Sequence, residues 1–437
     1  MIGVVNFLKR NEVLISSLII LVSIFFFDNK LIGFNKAKIF ILLLVPFFFI
    51  NLSEIYNRKL KIFFLIFFLS VSALVIHSGI KINFQYSKYN YYSIIYLGLL
   101  TIICLNMTKT FDEIINLTIK LFIISSNILF IILLLYELNN YNLYDHEKNY
   151  NGLCTIMEKT ETIWKYLFIE NSHFAMIATG IIGYGIYNFK KLNLFEKLNF
   201  TFFIIMSYIF ISSLTLFLGV IISLVFCLIL LNFNKDFFIK SAVMIMINIF
   251  LIFNLNNCFL RISQITLVEN MYLDNKQNHL IQMFGKNEKK NEPTTEIKIN
   301  STTATHLNHM NFSLDILKNN IFGVGFQNYG FFSYKYGKNT KLIDVQNDMA
   351  LMNIRDGAST FNKLLAEFGI INILFVFLFI YSIKKSKLKI GSKIFILSLI
   401  ITQLIRGAGY FNSGFIFFSL ILFFSNYYFY KKKQATY

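Results

Sequence analysis

Residues 200 to 233 are apolar almost without a break. As one helix rising about 1.5 Å per residue, this stretch would be about 50 Å long, against about 30 Å for the hydrocarbon core of a bilayer. Such a run cannot cross once and has to fold back. The polar interruption within it is Ser212-Ser213-Leu214-Thr215, so a hairpin is expected there, with spans at 200–214 and 215–232. Further apolar runs lie at 12–27, 37–52, 62–77, 91–107, 115–137, 172–189, 238–256, 366–383, 394–406 and 414–430, which brings the expected number of spans to twelve.

Composition excludes a soluble domain with an ordinary polar surface, because 56% of the 437 residues are hydrophobic and 15% are charged. The expected fold class is an all-α polytopic membrane protein with one large loop. A net charge of +18 would point to nucleic acid in a soluble protein. Here the lysines sit in short loops between spans and read as topology determinants, so no nucleic-acid partner is expected. The loops carrying Lys9/Arg10, Arg58/Lys59/Lys61, Lys109, Lys190/Lys191/Lys197, Lys235/Lys240, Lys384 to Lys393 and Lys431 to Lys433 fall on one side, which the positive-inside tendency makes cytoplasmic. Parity agrees only if 200–233 is a hairpin. Both termini are then cytoplasmic, and Val13–Phe27, lacking a small-residue cleavage site after it, reads as a retained first span.

Three parts follow from this count. Residues 1–256 carry nine spans and a smaller outer loop at 138–171, residues 257–365 form the large outer loop, and residues 366–437 carry three spans and a basic tail. Within the large loop, 285–305 is poor in apolar residues and reads as mobile. Leu307, Met310, Leu314 and Leu317 then recur at helical spacing, before the glycine-rich turn Phe322 to Gly330. This segment is expected to lie across the mouth of the membrane domain. Its Gly-x-Gly is no dinucleotide fingerprint, since Asn328 stands where the third glycine would be. Cys104, Cys154, Cys227 and Cys258 show no metal-binding spacing, and neither a metal nor another cofactor is expected.

The re-entry into the membrane at Arg355 to Gly369 crowds Arg355, Asp356, Lys363 and Glu367 against the start of a helix. Ionisable groups at a membrane mouth mark a site, although such charges also serve to cap and anchor helix ends. The same outer surface is expected to hold Glu170 and His173 at the start of the sixth span, Ser213 and Thr215 at the hairpin tip, Arg261 at the start of the loop, and Arg406 after the eleventh span. Arg261, Arg355 and Arg406 are three of the chain's five arginines, placed outside in a sequence that otherwise prefers Lys. A guanidinium offers the planar, bidentate fork that suits phosphate oxygens. A base is offered by His173 steered by Glu170, or by Asp356.

Five short motifs in order carry a resemblance. They are Glu170 to Ala175 (Glu-Asn-Ser-His-Phe-Ala), Ser213 to Thr215, Phe322 to Gln327 (Phe-Gly-Val-Gly-Phe-Gln), Asp356-Gly357 through Lys363 to Gly369, and Arg406 to Phe411. From Glu170 onward the chain resembles the bacterial O-antigen polymerases of the Wzy type. The resemblance implies a GT-C class glycosyltransferase of the inner membrane with its active site at the periplasmic face. It would transfer a growing glycan from undecaprenyl diphosphate onto the next lipid-linked repeat unit. Arg261, Arg355, Arg406 and Lys363 would then bind diphosphate, Asp356, His173 or Glu170 would act on the acceptor hydroxyl, and Ser213, Thr215, Gln327, Glu367 and Tyr410 would contact substrate. Partners implied are donor and acceptor undecaprenyl-diphosphate-linked oligosaccharides, the bilayer, and a chain-length regulator protein. Ala358 stands where related O-antigen ligases carry histidine, which disfavours the ligase reading. A lipid-linked sugar flippase remains as the alternative of a different class.

Overall fold

The computed structural model describes residues 10–26, 40–50, 88–139, 171–254 except 212 and 232–234, 301–337, and 357–428 except 408 and 412–413. Regular structure among these is entirely helical. In chain order it runs through α1 (Glu12–Ile20, continued by a π-helical turn at Leu21–Phe25), α2 (Val45–Ile50, preceded by a 3-10 turn), α3 (Lys88–Met107), α4 (Phe111–Asn139), α5 (Asn171–Asn188), α6 (Leu194–Phe210) and α7 (Leu214–Leu230). After α8 (Lys235–Asn254) come α9 (Ser301–Asn319), α10 (Tyr329–Gly337), α11 (Thr360–Phe368), α12 (Asn372–Lys385), α13 (Ile390–Ile405) and α14 (Phe415–Tyr428).

The core is an apolar bundle in which α5, α7 and α13 pack closely because small residues let their backbones approach. Gly180 faces Phe395, Gly183 faces Ser398 and Ile394, and Gly391 faces Asn188 and Tyr184, so α5 and α13 run antiparallel. Gly219 of α7 meets both Thr179 and Thr402. Cys227 further along α7 reaches Ser398 at 3.7 Å, which makes α7 antiparallel to α13 as well. Phenylalanines fill the next layer. Phe122 touches Phe25, Phe174 and Phe203, while Phe130 stacks on Phe210 with ring centroids 5.6 Å apart. Lys120 pairs with Glu196 at 2.6 Å near the starts of α4 and α6, so those helices are parallel.

These directions fold the 200–233 stretch back on itself. α6 ends at Phe210, α7 begins at Leu214, and the reversal falls at the polar interruption. They also gather the described basic loops, at Lys109, Lys190 to Lys197, Lys235 to Lys240 and Lys384 to Lys393, at one end of the bundle. Asp236 there accepts from Lys190 at 3.0 Å and Lys240 at 2.8 Å, and Asp112 accepts from the Lys389 N–H at 3.1 Å and the Ser392 hydroxyl at 2.5 Å. Two helical stretches, Phe111–Leu135 and Thr360–Lys385, are long and apolar enough to cross a membrane among the described residues. The expected count of twelve is not reached there. Glu12–Phe25, Tyr92–Met107, Leu214–Leu230, Ile390–Ile405 and Phe415–Asn426 are shorter apolar helical stretches among the described residues, and the expected span at 62–77 lies outside them.

Close approach at the small residues makes the packing sensitive to added volume. A Cβ on Gly183 would stand 2.8 Å from the Ser398 hydroxyl oxygen and 3.1 Å from Ile394, whereas one on Gly98 would meet nothing within 4 Å. Gly183→Val is expected to destabilise the bundle by about 1–3 kcal/mol, the usual cost of overpacking, and Gly98→Val to leave it nearly unchanged. Thermal unfolding of both purified variants in detergent measures the difference.

Candidate functional site

At the end of the bundle away from the basic loops, a corner after α13 and the segments α9 to α11 form a polar assembly. α11 begins at Ser359, whose side chain accepts the Asn362 N–H at 3.1 Å and so satisfies one of the free donors of a helix start. Ser359 is thus the cap of α11. One face of this short helix is buried although it carries Thr360, Asn362, Lys363 and Glu367. Their burial is made possible by the glycine-rich turn.

The turn pairs with the end of α11 through its backbone. Val324 and Gly325 donate their N–H groups to the Ala366 and Glu367 carbonyls at 3.0 and 2.9 Å, and Ile370 donates to the Ile321 carbonyl at 2.9 Å. These bonds satisfy carbonyls that a helix C-terminus otherwise leaves unpaired. Such contact needs residues without a Cβ. Gly323 and Gly369 both have positive φ (76° and 53°), and a side chain on either would collide with the opposite backbone.

Glu367 lies at the centre of this pairing. Its two carboxyl oxygens accept the Gln327 N–H at 2.9 Å and the Tyr329 N–H at 3.1 Å, the latter at the positive start of α10. Lys363 lies one turn earlier on the same face and contributes the nearby opposite charge. The Lys363 ammonium donates to Gln327 Oε1 at 3.2 Å and stands 4.9 Å from the centre of the Tyr410 ring. Tyr410 in turn stacks on Phe326 at 5.6 Å and packs against Phe368. Among the described residues its buried hydroxyl makes no hydrogen bond of good geometry, although it is close enough to Glu367 for the two to interact.

A second layer of polar contacts lies beneath α9. His309 is fully buried, with Nδ1 2.8 Å from the Tyr329 hydroxyl. Ser313 donates to the Asn362 carbonyl at 2.9 Å and ties α9 to α11. His306 reaches the other side of the assembly, beside the Ile405 carbonyl and the Arg406 guanidinium at the end of α13. Burial first, then Arg406 and His309, push the His306 pKa down to about 4, so its imidazole is neutral at neutral pH. Arg406 follows the last turn of α13, and the next residue, Gly407, is seated against Thr360 at the start of α11.

Of the residues the sequence singles out, Lys363, Glu367, Gln327 and Tyr410 form one contiguous cluster, with Arg406 at its edge. His173 in the first turn of α5 and Ser213 and Thr215 at the start of α7 lie at the same end, since both helices run antiparallel to α13. Glu170, Arg261, Arg355 and Asp356 lie outside the described residues. His306, His309 and Tyr329 are additions that sequence reasoning missed. The signal was a row of polar residues, Thr305, Asn308, His309 and Ser313, recurring at helical spacing opposite the leucines. The leucine stripe is not the buried face of α9. Met310 is exposed and Leu307, Leu314 and Leu317 are half-buried, while Thr305, Asn308, His309, Phe312, Ser313 and Ile316 are buried.

The arrangement offers a guanidinium beside a neutral imidazole, backed by a hydrogen-bonded wall. That combination can hold an anion and accept a proton at adjacent points. Among the described residues no three His, Cys, Asp or Glu side chains are grouped to hold a metal ion. In comparisons with known proteins, the chain matches no family model, no curated protein and no solved structure.

The depressed His306 pKa has a consequence for stability. A group that ionises less readily when folded binds more protons in the unfolded chain between its two pKa values. Stability is therefore expected to fall as pH drops from about 6.5 toward 4, by up to about 1.4 kcal/mol per pH unit. His306→Gln removes this contribution, so its unfolding temperature should depend less on pH over that window than the wild type's.

Proposed function

We propose that the chain is a polysaccharide polymerase of the Wzy type, a membrane glycosyltransferase that transfers a lipid-linked glycan at the periplasmic face of the bacterial inner membrane. The observation that carries this reading is the convergence of three of the five resembling motifs. The Phe322 to Gln327 turn, the Lys363 to Gly369 helix end and the Arg406 to Phe411 corner meet in one cluster, although long stretches of chain separate them. In the same reading the remaining apolar runs supply the other spans, to the full count of twelve, and the end of the bundle holding the basic loops faces the cytoplasm.

In this reaction the acceptor hydroxyl attacks the anomeric carbon of the donor glycan. The bond from that carbon to the diphosphate oxygen breaks, and undecaprenyl diphosphate leaves with the electron pair. Arg406 holds the leaving diphosphate, joined by Arg261 and Arg355. The hydroxyl proton passes to a base, either His173 oriented by Glu170 or His306, which stands beside Arg406 and is neutral at neutral pH. Asp356 orients the acceptor sugar. Glu367, Lys363, Gln327 and Tyr410 are largely occupied with one another, and their role is to hold the wall against which the substrate binds.

The test is polymerisation by purified protein of a synthetic undecaprenyl-diphosphate repeat unit, read as a ladder of products. Arg406→Lys should lose most activity despite retaining its charge, because a bidentate fork is lost, while Arg58→Lys should remain near wild type. Loss of the base should lower turnover by about 10² to 10⁴-fold, and comparing His173→Ala with His306→Ala identifies it. A wild type that yields no polymer under conditions where the lipid substrates bind overturns the reading.

The proposed orientation has its own measurement. A reporter fused after Lys235 should be cytoplasmic, and one inserted near Lys289 should be periplasmic. Finding both on one side refutes the alternation of spans.

A further inference from the structure

We propose that the Ile321-Phe322 tip is a wedge that enters the acyl chains of the bilayer and fixes the depth of the polar cluster. This inference rests on the reading of the chain as a membrane protein. Ile321 and Phe322 follow the polar end of α9, where Asp315 pairs with Lys318 and Asn319-Asn320 end the helix. Among the described residues nothing covers them: Ile321 is 60% and Phe322 65% exposed. Two adjacent large apolar side chains at the tip of a turn need a nonaqueous neighbour.

The neighbour is identified by what the tip is fastened to. The Ile321 carbonyl accepts the Ile370 N–H, which sets the tip beside the start of α12. Ile370 is itself exposed, and the outward residues continue without interruption from Ile373 to Leu378 along α12. A helix whose successive large apolar residues are all uncovered lies at the periphery of the bundle, against hydrocarbon. The tip therefore extends an apolar band that already belongs to a membrane-capable helix. Just behind it, Gly323 to Tyr329 carry the backbone groups that hold Glu367. Anchoring the tip in lipid sets those groups, and with them Lys363 and Tyr410, at one level relative to the headgroups.

The experiment places single tryptophans in a Trp164→Phe background and reads quenching by phospholipids brominated along the acyl chain, with the protein in nanodiscs. Phe322→Trp should show blue-shifted emission and strong quenching, greater with bromine near the headgroup than near the chain terminus. Lys318→Trp, on the solvated end of α9, should be little quenched, and Phe377→Trp, on the exposed side of α12, should be quenched by the deeper bromines. Both tip residues are exposed, so Ile321→Trp serves as a second reporter if the first variant misfolds. Quenching at Phe377→Trp without quenching at either tip residue overturns the wedge and leaves the membrane reading intact. Absence of quenching at all three positions overturns both.

Discussion

The polar end of this protein depends on one contact, the meeting of the glycine-rich turn with the last turn of α11. Three backbone hydrogen bonds join them, and the Glu367 carboxyl bridges two further N–H groups. A buried carboxyl without partners would cost several kcal/mol. With both oxygens accepting and Lys363 beside it, that cost is offset in part, burial still disfavouring the charged carboxylate, and the bonds impose a single register on the two segments. From this follow the position of Tyr410 over Lys363, the stacking of Phe326 on Tyr410, and the docking of α9 through Tyr329 and His309.

The contact also explains an inversion in how polarity is distributed. In the bundle, the buried interior and the exposed surface are both apolar, as the uncovered band on α12 shows. In α9 to α11 the interior is where the polar groups are. Hydrogen bonds between buried groups are strengthened by the low local dielectric, provided all partners are supplied. Segments built this way are held by directional bonds and lie on a bundle held by close packing of Phe, Gly and Ser.

That inversion decides what was legible in the sequence. Helix limits were readable, since apolar runs at 172–189, 215–232 and 414–430 correspond to Asn171–Asn188, Leu214–Leu230 and Phe415–Tyr428. The reversal inside 200–233 followed from length alone. The charges near Gly369 and the glycines at 323 and 325 were visible as a site, and they proved to be partners of each other. What could not be read was the face of α9 that turns inward. The rule that leucines point to the core fails where the neighbour is a polar assembly and the surroundings are apolar, so His306 and His309 passed unnoticed while Met310 and Leu314 attracted attention. Of the twelve crossings expected, two are carried by helices long and apolar enough among the described residues, Phe111–Leu135 and Thr360–Lys385.

The pairing of His306 with Arg406 gains meaning in the proposed reaction from the way charges couple. Burial first, and then the guanidinium, keep the imidazole neutral, so the position after α13 carries one positive charge and one lone pair. A diphosphate bound at Arg406 would bring negative charge to the same place. It would cancel the guanidinium's repulsion of a proton on His306 and raise the basicity of the imidazole. The group would be a weak base until the donor arrived, and a stronger one once the leaving group was held. A lysine at position 406 would supply a similar field but not the bidentate fork that holds the diphosphate next to the imidazole.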